Sequence, residues 1–197
     1  LQAGISLNDF SYQLERIIGN PQKGNVPVEF SVQAAPRLAI SYLLNKSLAL
    51  HASVSKGFSP PSLAEIRPSA GGFSTDLQAE QGWSYELGIK GAVIRSRWQF
   101  ELSLFQFDLE NSIVRRTNAA GAEYFINAGG TKQQGMELFT EGYLINNPAR
   151  KGISYFRLWS SVTLSEFYFK DYKVNNVSYD GNELTGVPRQ VILAGAD

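Results

Sequence analysis

The sequence predicts an all-β protein, an antiparallel up-and-down meander of about eight strands. Apolar and polar residues alternate along most of its longer segments, and this period of two places the apolar side chains on one face of a strand. The connections between these segments are alternately long and very short, which is typical of a chain that runs back and forth across one sheet. No segment of useful length has the spacing of about 3.6 residues that marks an amphipathic helix.

The predicted strands follow one another along the chain. The third is the clearest, because Leu48, Leu50 and Val54 alternate with serine and histidine, and the fourth continues the same pattern around Leu87. The expected bounds are 3–14, 29–44, 47–56, 83–94, 97–109, 124–144, 153–169 and 190 onward. In the fifth strand the apolar phase shifts by one residue at Phe105, so we expect a β-bulge or the rim of a membrane zone there.

Four connections are predicted to be long and polar, and three to be short turns. The long ones cover 16–26, 57–82, 111–123 and 170–188, and the short ones lie at 45–46, at 95–96 and near 147. We expect the third strand to stop at Gly57, because Pro60 and Pro61 remove two backbone donors from any continuing ladder. All the long loops should leave the same end of the sheet.

Two architectures fit this pattern. In a transmembrane β-barrel the apolar face contacts lipid, closure pairs every backbone polar group, and the longer loops face outside. In a water-soluble antiparallel sandwich the strands also alternate and the loops also vary in length. Aromatic residues near the expected strand ends, where a barrel has its aromatic girdle, include Tyr42, Trp98, Phe107 and Phe169. The spacing alone supports the two architectures about equally.

Composition and missing motifs exclude several functions. Eighteen basic residues balance eighteen acidic ones, so no net field favours nucleic acid as a partner. The absence of cysteine excludes disulfides, thiolate metal sites and cysteine nucleophiles. The sequence has no G-x-S-x-G, H-E-x-x-H or Walker motif, and its single histidine, His51, lies on a polar strand face as a hydrogen-bonding residue. We therefore predict no enzymatic activity, no cofactor and no metal site.

Five short motifs in a fixed order carry a resemblance to a known family. The segment 53–65 reads SVSKGFSPPSLAE and is followed by LQAE at 77–80 and WSYELGIKG at 83–91. Further along, LFQFDLENSIV spans 104–114, NAG and GMEL lie at 127–129 and 135–138, and GNELTGVPR spans 181–189. Together they closely resemble the barrel domain of TonB-dependent outer-membrane receptors, over most of the chain from Pro36 onward, and this resemblance favours a large transmembrane β-barrel over the sandwich.

The resemblance implies a barrel of roughly twenty-two strands, an amino-terminal plug and a short segment that engages TonB. We expect residues 1–197 to be a partial barrel domain, an internal fragment of the carboxy-terminal half without the plug, the first strands or the terminal strands. Eight strands cannot close so wide a barrel, so the fragment alone should not transport anything. Its expected place is the bacterial outer membrane, where it would contact lipid and lipopolysaccharide and, through the missing regions, the TonB complex.

By the same resemblance the protein imports a scarce solute by TonB-coupled active uptake, and a ferric siderophore is the expected cargo. Cobalamin, other metal chelates and glycans remain open. Two other classes of protein also remain open. A passive porin-type channel would lack the ordered motifs, and a soluble β-sandwich binding module would need apolar faces that pair with each other within 197 residues.

Candidate ligand contacts lie in the predicted outer loops. Arg115 and Arg116 are the most attractive pair, because guanidinium groups suit carboxylate, catecholate or other anionic chelates. Further polar or aromatic contacts are expected from Arg67, Phe73, Tyr124, Tyr172 and Tyr179. The paired arginines are equally compatible with a solvated rim or with a grip on lipopolysaccharide.

The residues of the family motifs are expected to be architectural rather than ligand-binding, because glycine and proline shape the exit from strand to loop. They are Gly57, Phe58, Pro60, Pro61, Glu65, Tyr85, Glu86, Gly88, Asn127, Gly129, Gly135, Glu137 and Pro188.

Overall fold

The computed structural model describes residues 1–14, 26–94, 97–147, 149, 151–174 and 177–197. The elements in chain order are β1 (Gln2–Asn8), β2 (Ser11–Leu14), β3 (Val26–Glu29), β4 (Gln33–Asn45), β5 (Leu48–Ser59), α1 (Leu63–Ile66), β6 (Glu80–Val93), β7 (Trp98–Glu110), β8 (Ile113–Thr117), β9 (Glu123–Asn127), β10 (Gly130–Asn146), β11 (Tyr155–Lys170), β12 (Lys173–Val174), β13 (Val177–Ser178) and β14 (Gln190–Ala196). Eight strands form one antiparallel sheet in the order β1-β4-β5-β6-β7-β10-β11-β14. Each pairs with the next in chain order, so the predicted up-and-down meander is confirmed.

The other described strands form three two-stranded hairpins, β2–β3, β8–β9 and β12–β13. Each hairpin lies within one long connection of the sheet, and α1 lies within the long connection between β5 and β6. The connections from β4 to β5, from β6 to β7 and from β10 to β11 are short. The long connections therefore leave the same end of the sheet, as predicted. Among the described residues no helix is long and apolar enough to cross a membrane.

The register gives the sheet one apolar face and one more polar face. Residues directly opposite each other on neighbouring strands share a face, and one such row is entirely apolar or aromatic. This row consists of Tyr42, Leu50, Ile89, Leu102, Leu138, Val162 and Ile192. The adjacent row lies on the other face and is mainly polar or small: Ser41, His51, Gly88, Ser103, Glu137, Thr163 and Val191.

No other layer of the described chain covers the apolar face. Ile40, Leu87 and Leu104 are 51%, 55% and 49% exposed. The buried hydrophobic residues of the described ranges are few, namely Val28, Ala49, Ile66, Leu77 and Ala79. A water-soluble sandwich buries such a face against a second sheet, so this single layer does not fit the sandwich alternative.

The strand β5 runs further than predicted. Residues 57–59 pair with residues 80–82 of β6, so the expected stop at Gly57 is wrong. These residues keep their backbone donors, and the ladder ends only where Pro60 removes one. β6 accordingly begins at Glu80, and the loop between the two strands is shorter than the predicted 57–82.

The expected bulge at Phe105 is also wrong. β7 pairs with both of its neighbours without a shift in register, so Phe105 and Phe107 lie on the polar face of the sheet. Glycines make room for these rings, because a Cβ atom on Gly135 would overlap Phe105 and one on Gly82 would overlap Phe107. The irregularities of register lie instead near the short turns, in β4 and in β10.

Two predicted strands are divided in the structure. The first, 3–14, becomes β1 and β2, which belong to different sheets. The sixth, 124–144, becomes β9 and β10, and the chain turns between them at Gly129, whose φ of 63° favours glycine. The predicted loop 16–26 and the predicted turn 95–96 lie almost entirely outside the described residues, which begin again at 26 and at 97.

Candidate functional site

The long connections form a layer over one end of the sheet, and a small apolar core lies within it. Val28 and Ile66 are 3% and 0% exposed, and Tyr12 and Phe73 pack against them. The Tyr12 hydroxyl donates a hydrogen bond to the carbonyl of Pro61 at 3.2 Å. The β2–β3 hairpin is therefore attached to the loop of residues 60–79, which we call the α1 loop.

Aromatic stacking joins the end of β5 to the same core. Phe58 stacks on Phe10 with ring centroids 5.9 Å apart, and Phe10 stacks on Phe30 at 4.8 Å. Pro61 is fully buried, and its carbonyl accepts the bond from Tyr12. Of the motif residues in this segment, Phe58 and Pro61 therefore make packing contacts, and Pro60 ends the strand.

The helix α1 begins with a capping box. The Ser62 hydroxyl accepts a hydrogen bond from the Glu65 N–H at 3.4 Å, and Glu65 Oε2 accepts one from the Ser62 N–H at 2.6 Å. These bonds satisfy two backbone donors that the start of a helix leaves unpaired. Arg67 caps the other end, where its N–H donates to the carbonyl of Leu63 at 3.0 Å and its side chain is exposed.

The β8–β9 hairpin is held at its base by two side chains. Ile113 and Asn127 lie opposite each other there. The Ile113 N–H donates to Glu80 Oε1 at 2.7 Å. Asn127 Oδ1 accepts a hydrogen bond from the Gln78 N–H at 2.7 Å, and its Nδ2 donates to the carbonyls of Gln78 and Asn111 at 2.9 and 2.7 Å. Both strands of the hairpin are thereby fixed to the segment that leads into β6.

A second attachment joins the upper part of the hairpin to the α1 loop. The Ala70 N–H donates to the carbonyl of Glu123, and the Glu123 N–H donates to Ser69 Oγ, both at 2.9 Å. The hairpin therefore lies against the α1 loop along its length.

Arg115 and Arg116 lie on opposite faces of the hairpin, as successive residues of a strand do. Arg115 pairs with Glu123 at 2.8 Å, and both side chains are largely exposed to solvent. Arg116 Nη1 donates to the Tyr172 hydroxyl at 2.8 Å, and its Nη2 donates to the carbonyl of Lys173 at 3.3 Å. The two arginines therefore do not form one joint grip on an anion.

Arg116 lies within a group of aromatic rings, which we call the arginine–tyrosine cluster: Arg116, Tyr124, Phe169, Tyr172 and Tyr179. The guanidinium carbon is 5.2 Å from the centroid of the Tyr172 ring. Phe169 stacks on Tyr172 at 4.8 Å, Tyr179 lies 6.1 Å from it, and Tyr124 is directly opposite Arg116 in the hairpin. A guanidinium beside aromatic faces and phenol hydroxyls suits a flat anionic ligand.

The structure brings only some of the predicted ligand residues together. Arg116, Tyr124, Tyr172 and Tyr179 meet in the cluster, whereas Arg67 and Phe73 belong to the α1 loop and Arg115 pairs on the far face of the hairpin. Sequence analysis missed Phe169, because its position at the end of a strand suggested a membrane girdle. It also missed Glu80, although the LQAE motif contains it.

A contact on the polar face of the sheet explains two motif residues. His51 Nε2 lies 3.2 Å from Glu86 Oε1, as a hydrogen-bonding histidine should. A Cβ atom on Gly88 would overlap the imidazole ring and lie 2.9 Å from Ser103 Oγ. A glycine is therefore needed at position 88 so that the His51 side chain of β5 can lie close against β6.

The remaining motif residues make contacts of several kinds. A Cβ atom on Gly129 would lie 2.7 Å from the carbonyl oxygen of Lys170, so the hairpin base passes closely beside the end of β11. Tyr85 stacks on Trp83 at 6.3 Å on the apolar face. Glu137 lies on the polar face opposite Ser103. Pro188 immediately precedes Arg189, whose guanidinium pairs with Glu183 across the loop between β11 and β14.

Metal-binding side chains are not grouped in the part of the chain that the structure describes. No three histidine, aspartate or glutamate residues of these ranges lie close enough to hold a metal ion. At the loop end of the sheet the cluster instead offers guanidinium, phenol and backbone groups as hydrogen-bonding partners.

Comparison with solved structures finds the same sheet in larger proteins. The chain superposes on the ferripyoverdine receptor of the outer membrane of Pseudomonas aeruginosa with a TM-score of 0.61 and 19% identity, covering 96% of this chain and 23% of that one. For the siderophore receptor PiuA from Acinetobacter baumannii the TM-score is 0.67 at 15% identity, covering 98% and 28%. For the copper transporter OprC it is 0.61 at 15% identity, covering 85% and 26%. These likenesses show the fold, and this chain spans only about a quarter of each of these proteins.

A family model gives the wider assignment. The model described as TonB dependent receptor-like, beta-barrel matches residues 1–197, the whole of the chain. The eight-stranded meander, with its uncovered apolar face and its long loops at one end, is the sheet that such a barrel requires. The chain belongs to the family of TonB-dependent receptor-like β-barrels.

Proposed function

We propose that the complete protein is an outer-membrane receptor that imports a ferric siderophore or a similar anionic chelate by TonB-coupled active transport. The observation that carries this proposal is the arginine–tyrosine cluster at the loop end of the sheet. Its guanidinium and phenol groups offer donors to catecholate or carboxylate oxygens, and its rings offer flat surfaces to aromatic parts of a chelate. The ligand contacts that we propose are Arg116, Tyr124, Tyr172 and Tyr179.

The names of the structural neighbours suggest two kinds of cargo, a ferric siderophore and copper. One neighbour binds ferripyoverdine, and another is a copper transporter. Copper favours sulfur and imidazole ligands, whereas this chain has one histidine, one methionine and no cysteine. Within residues 1–197 the side chains therefore suit an organic anionic chelate better than bare copper.

We further propose that the apolar face of the sheet contacts lipid in the outer membrane. On β11 this face carries Leu158, Ser160, Val162 and Leu164, and it becomes charged at Glu166, which bonds Gln134 at 3.0 Å. The stretch from Leu158 to Leu164 spans about 20 Å at about 3.4 Å per residue. Because barrel strands tilt by about 35–45°, this stretch would cover about 15 Å of the apolar band of roughly 25 Å in outer-membrane barrels. The long loops would then face outside, near lipopolysaccharide.

Coupling to TonB and closure of the barrel would depend on parts of the complete protein outside residues 1–197. A passive porin-type channel is the alternative within the outer membrane, and its uptake would not depend on energy. The two are distinguished by whether uptake stops when the proton gradient is dissipated or when TonB is deleted.

The experiment uses the full-length gene with its native export signal in a strain from which that gene has been deleted. Growth under iron limitation and uptake of radioactive iron are measured with purified ferric catecholate and ferric hydroxamate siderophores. The variant Arg116→Ala should lower the apparent affinity about tenfold or more, because it removes charge-assisted hydrogen bonds. Arg115→Ala is the matched control, since its side chain lies on the other face of the hairpin.

Four outcomes would contradict the proposal. Uptake of none of these chelates would reject the cargo, and uptake that persists without TonB would favour the passive channel. Equal effects of Arg116→Ala and Arg115→Ala would reject the arginine–tyrosine cluster as the contact site. A parallel measurement with radioactive copper tests the second cargo, and restored copper uptake by the intact gene would replace the siderophore assignment.

A further inference from the structure

We infer that Asn127 is a positioning residue for the arginine–tyrosine cluster: it fixes the base of the β8–β9 hairpin to the α1 loop and thereby sets the position of Arg116. This inference rests on the proposed function, because the ligand concerned is the one that the cluster would bind. The side-chain hydrogen bonds of Asn127 go to Gln78 and Asn111 rather than to residues of the cluster. Asn127 acts through the hairpin that carries two of them, Arg116 and Tyr124.

The amide of Asn127 uses its acceptor and both of its donors between different segments. Its oxygen accepts from the Gln78 N–H, and its nitrogen donates to the carbonyls of Gln78 and Asn111. The bonds to Gln78 join residues that are 49 positions apart in the chain. Only a side chain with a carbonyl and an NH₂ group can make this set, since a carboxylate would turn an oxygen towards two carbonyl oxygens.

The tip of the same hairpin is held differently. Asn118 Oδ1 accepts hydrogen bonds from the N–H groups of Ala120 and Ala122, both at 3.0 Å, so its contacts stay within the turn. An aspartate at 118 would keep both bonds. The turn at the tip is thus stabilised by its own residues, whereas the base is attached to residues 78–80 by Asn127 and by the Ile113 N–H, which donates to Glu80. The two asparagines provide a matched pair for a test.

The hairpin lies between two loops, and its faces have different partners. Asn127 and Arg115 belong to one face, on which Asn127 bonds the α1 loop and Arg115 pairs with Glu123 of the same hairpin. Arg116 belongs to the other face and bonds Tyr172. Since Tyr172 follows β11 rather than the α1 loop, a change in the angle of the hairpin base would move Arg116 relative to Tyr172. The position of the guanidinium therefore depends on the bonds that Asn127 makes.

The test uses the full-length receptor purified from the outer membrane in detergent, in four forms: unchanged, Asn127→Asp, Asn118→Asp and Arg116→Ala. Binding of the purified ferric catecholate and hydroxamate siderophores is followed by fluorescence quenching. We expect Asn127→Asp to weaken binding about tenfold, because it replaces two donors by a repelling oxygen. Asn118→Asp should bind as the unchanged protein does. All four forms should remain folded, as shown by their heat-modifiable migration.

The double variant Asn127→Asp/Arg116→Ala separates positioning from a general structural effect. If Asn127 acts through Arg116, the double variant binds no more weakly than Arg116→Ala alone, since effects on one contact are not additive. A merely structural role would weaken binding equally in both backgrounds. Equal weakening in both backgrounds would overturn the inference, and so would normal binding by Asn127→Asp.

A measurement without ligand keeps this inference separate from the proposed function. Trypsin cleaves after arginine, and the attached hairpin should protect the bond after Arg116 in the folded receptor. Asn127→Asp should raise the rate of cleavage there several-fold, whereas Asn118→Asp should not. If the unchanged receptor binds none of the siderophores, the proposed function fails. The cleavage rate alone then tests whether Asn127 positions the hairpin. Unchanged cleavage in Asn127→Asp would then overturn the positioning role.

Discussion

Ile113 and Asn127 face each other at the base of the β8–β9 hairpin, and each is bonded to the short segment 77–80 where β6 begins, Ile113 through Glu80 and Asn127 through Gln78. That segment is itself anchored, because Leu77 and Ala79 on either side of Gln78 are 6% and 3% exposed. Along this segment the buried residues Leu77 and Ala79 alternate with Gln78 and Glu80, which make the hydrogen bonds to the hairpin. The segment is therefore a rigid support to which the hairpin is attached.

Removal of the Glu80 carboxylate should loosen this support. In Glu80→Ala the Ile113 N–H loses its partner, at a cost of about 1–3 kcal/mol for a donor left without a hydrogen bond. Glu80→Gln keeps an oxygen acceptor and should behave nearly as the unchanged protein does. Hydrogen exchange of the Ile113 amide in the full-length receptor measures the difference. Identical exchange in the alanine and glutamine variants would show that the 2.7 Å bond does not hold the hairpin.

The capping box of α1 gives a second prediction. Ser62→Ala and Glu65→Ala should each lower the local stability of the helix by about 1 kcal/mol, because Ser62→Ala removes one of the two acceptors of the Glu65 N–H and Glu65→Ala leaves the Ser62 N–H unpaired. Faster amide exchange at residues 65 and 66 measures this loss. Glu65→Gln keeps the reciprocal bond to the Ser62 N–H and serves as the control. Slower or equal exchange in Ser62→Ala would mean that packing of Ile66 alone maintains the helix.

The glycine of the polar face gives a third prediction. Gly88→Ala should reduce the yield of folded receptor, because the added methyl group would overlap the His51 ring. The double variant Gly88→Ala/His51→Ser should recover much of that yield, since the smaller side chain leaves room for the methyl group. His51→Ser alone is the control. The folded fraction is measured by heat-modifiable migration in isolated outer membranes. A double variant that folds no better than Gly88→Ala would place the clash elsewhere.

The periodicity of the strands was sufficient to predict the sheet. Alternation identifies a strand wherever one face is apolar, and the succession of short and long connections fixes an antiparallel order, so the meander followed from sequence. Strand ends followed less well. The sequence suggested a stop at Gly57 because Pro60 and Pro61 cannot continue a ladder, yet Gly57 pairs with Gly82 and the ladder continues as far as Ser59, the residue before Pro60.

The faces of β7 show why local pattern has limits. An apolar series that changes phase at Phe105 suggests a bulge when the strand is read by itself. The neighbouring strands supply Gly135 and Gly82, and these glycines accommodate phenylalanine rings on a face that is otherwise polar. The glycines that make room for the rings lie about thirty positions away in the sequence, and the pairing of the strands brings them beside the rings. The sequence of β7 alone therefore cannot reveal which face carries Phe105 and Phe107.

The candidate site was predictable by residue type but not by arrangement. Arginines and tyrosines in outer loops indicated anion recognition, and Arg116, Tyr172 and Tyr179 do meet. Arg116 belongs to β8, whereas Tyr172 and Tyr179 belong to the connection between β11 and β14. Their positions in the sequence do not show that these two connections meet. The separation of Arg115 from Arg116 follows only once residues 113–117 are known to be a strand, since a strand directs successive side chains to opposite faces.

The assignment of the two faces of the sheet leads to the last prediction. Val162 lies in the apolar row between Leu138 and Ile192, and Ser161 lies beside it on the other face. If the apolar row lies near the middle of the bilayer, Val162→Lys should destabilise the full-length barrel by about 2–4 kcal/mol, as lysine does on the lipid face of outer-membrane barrels. Ser161→Lys adds the same charge one residue away and should cost much less, because its ammonium would be in the aqueous interior. Urea unfolding of the receptor in lipid vesicles measures both. A larger cost for Ser161→Lys would reverse the faces, and equal small costs would mean that neither face contacts lipid.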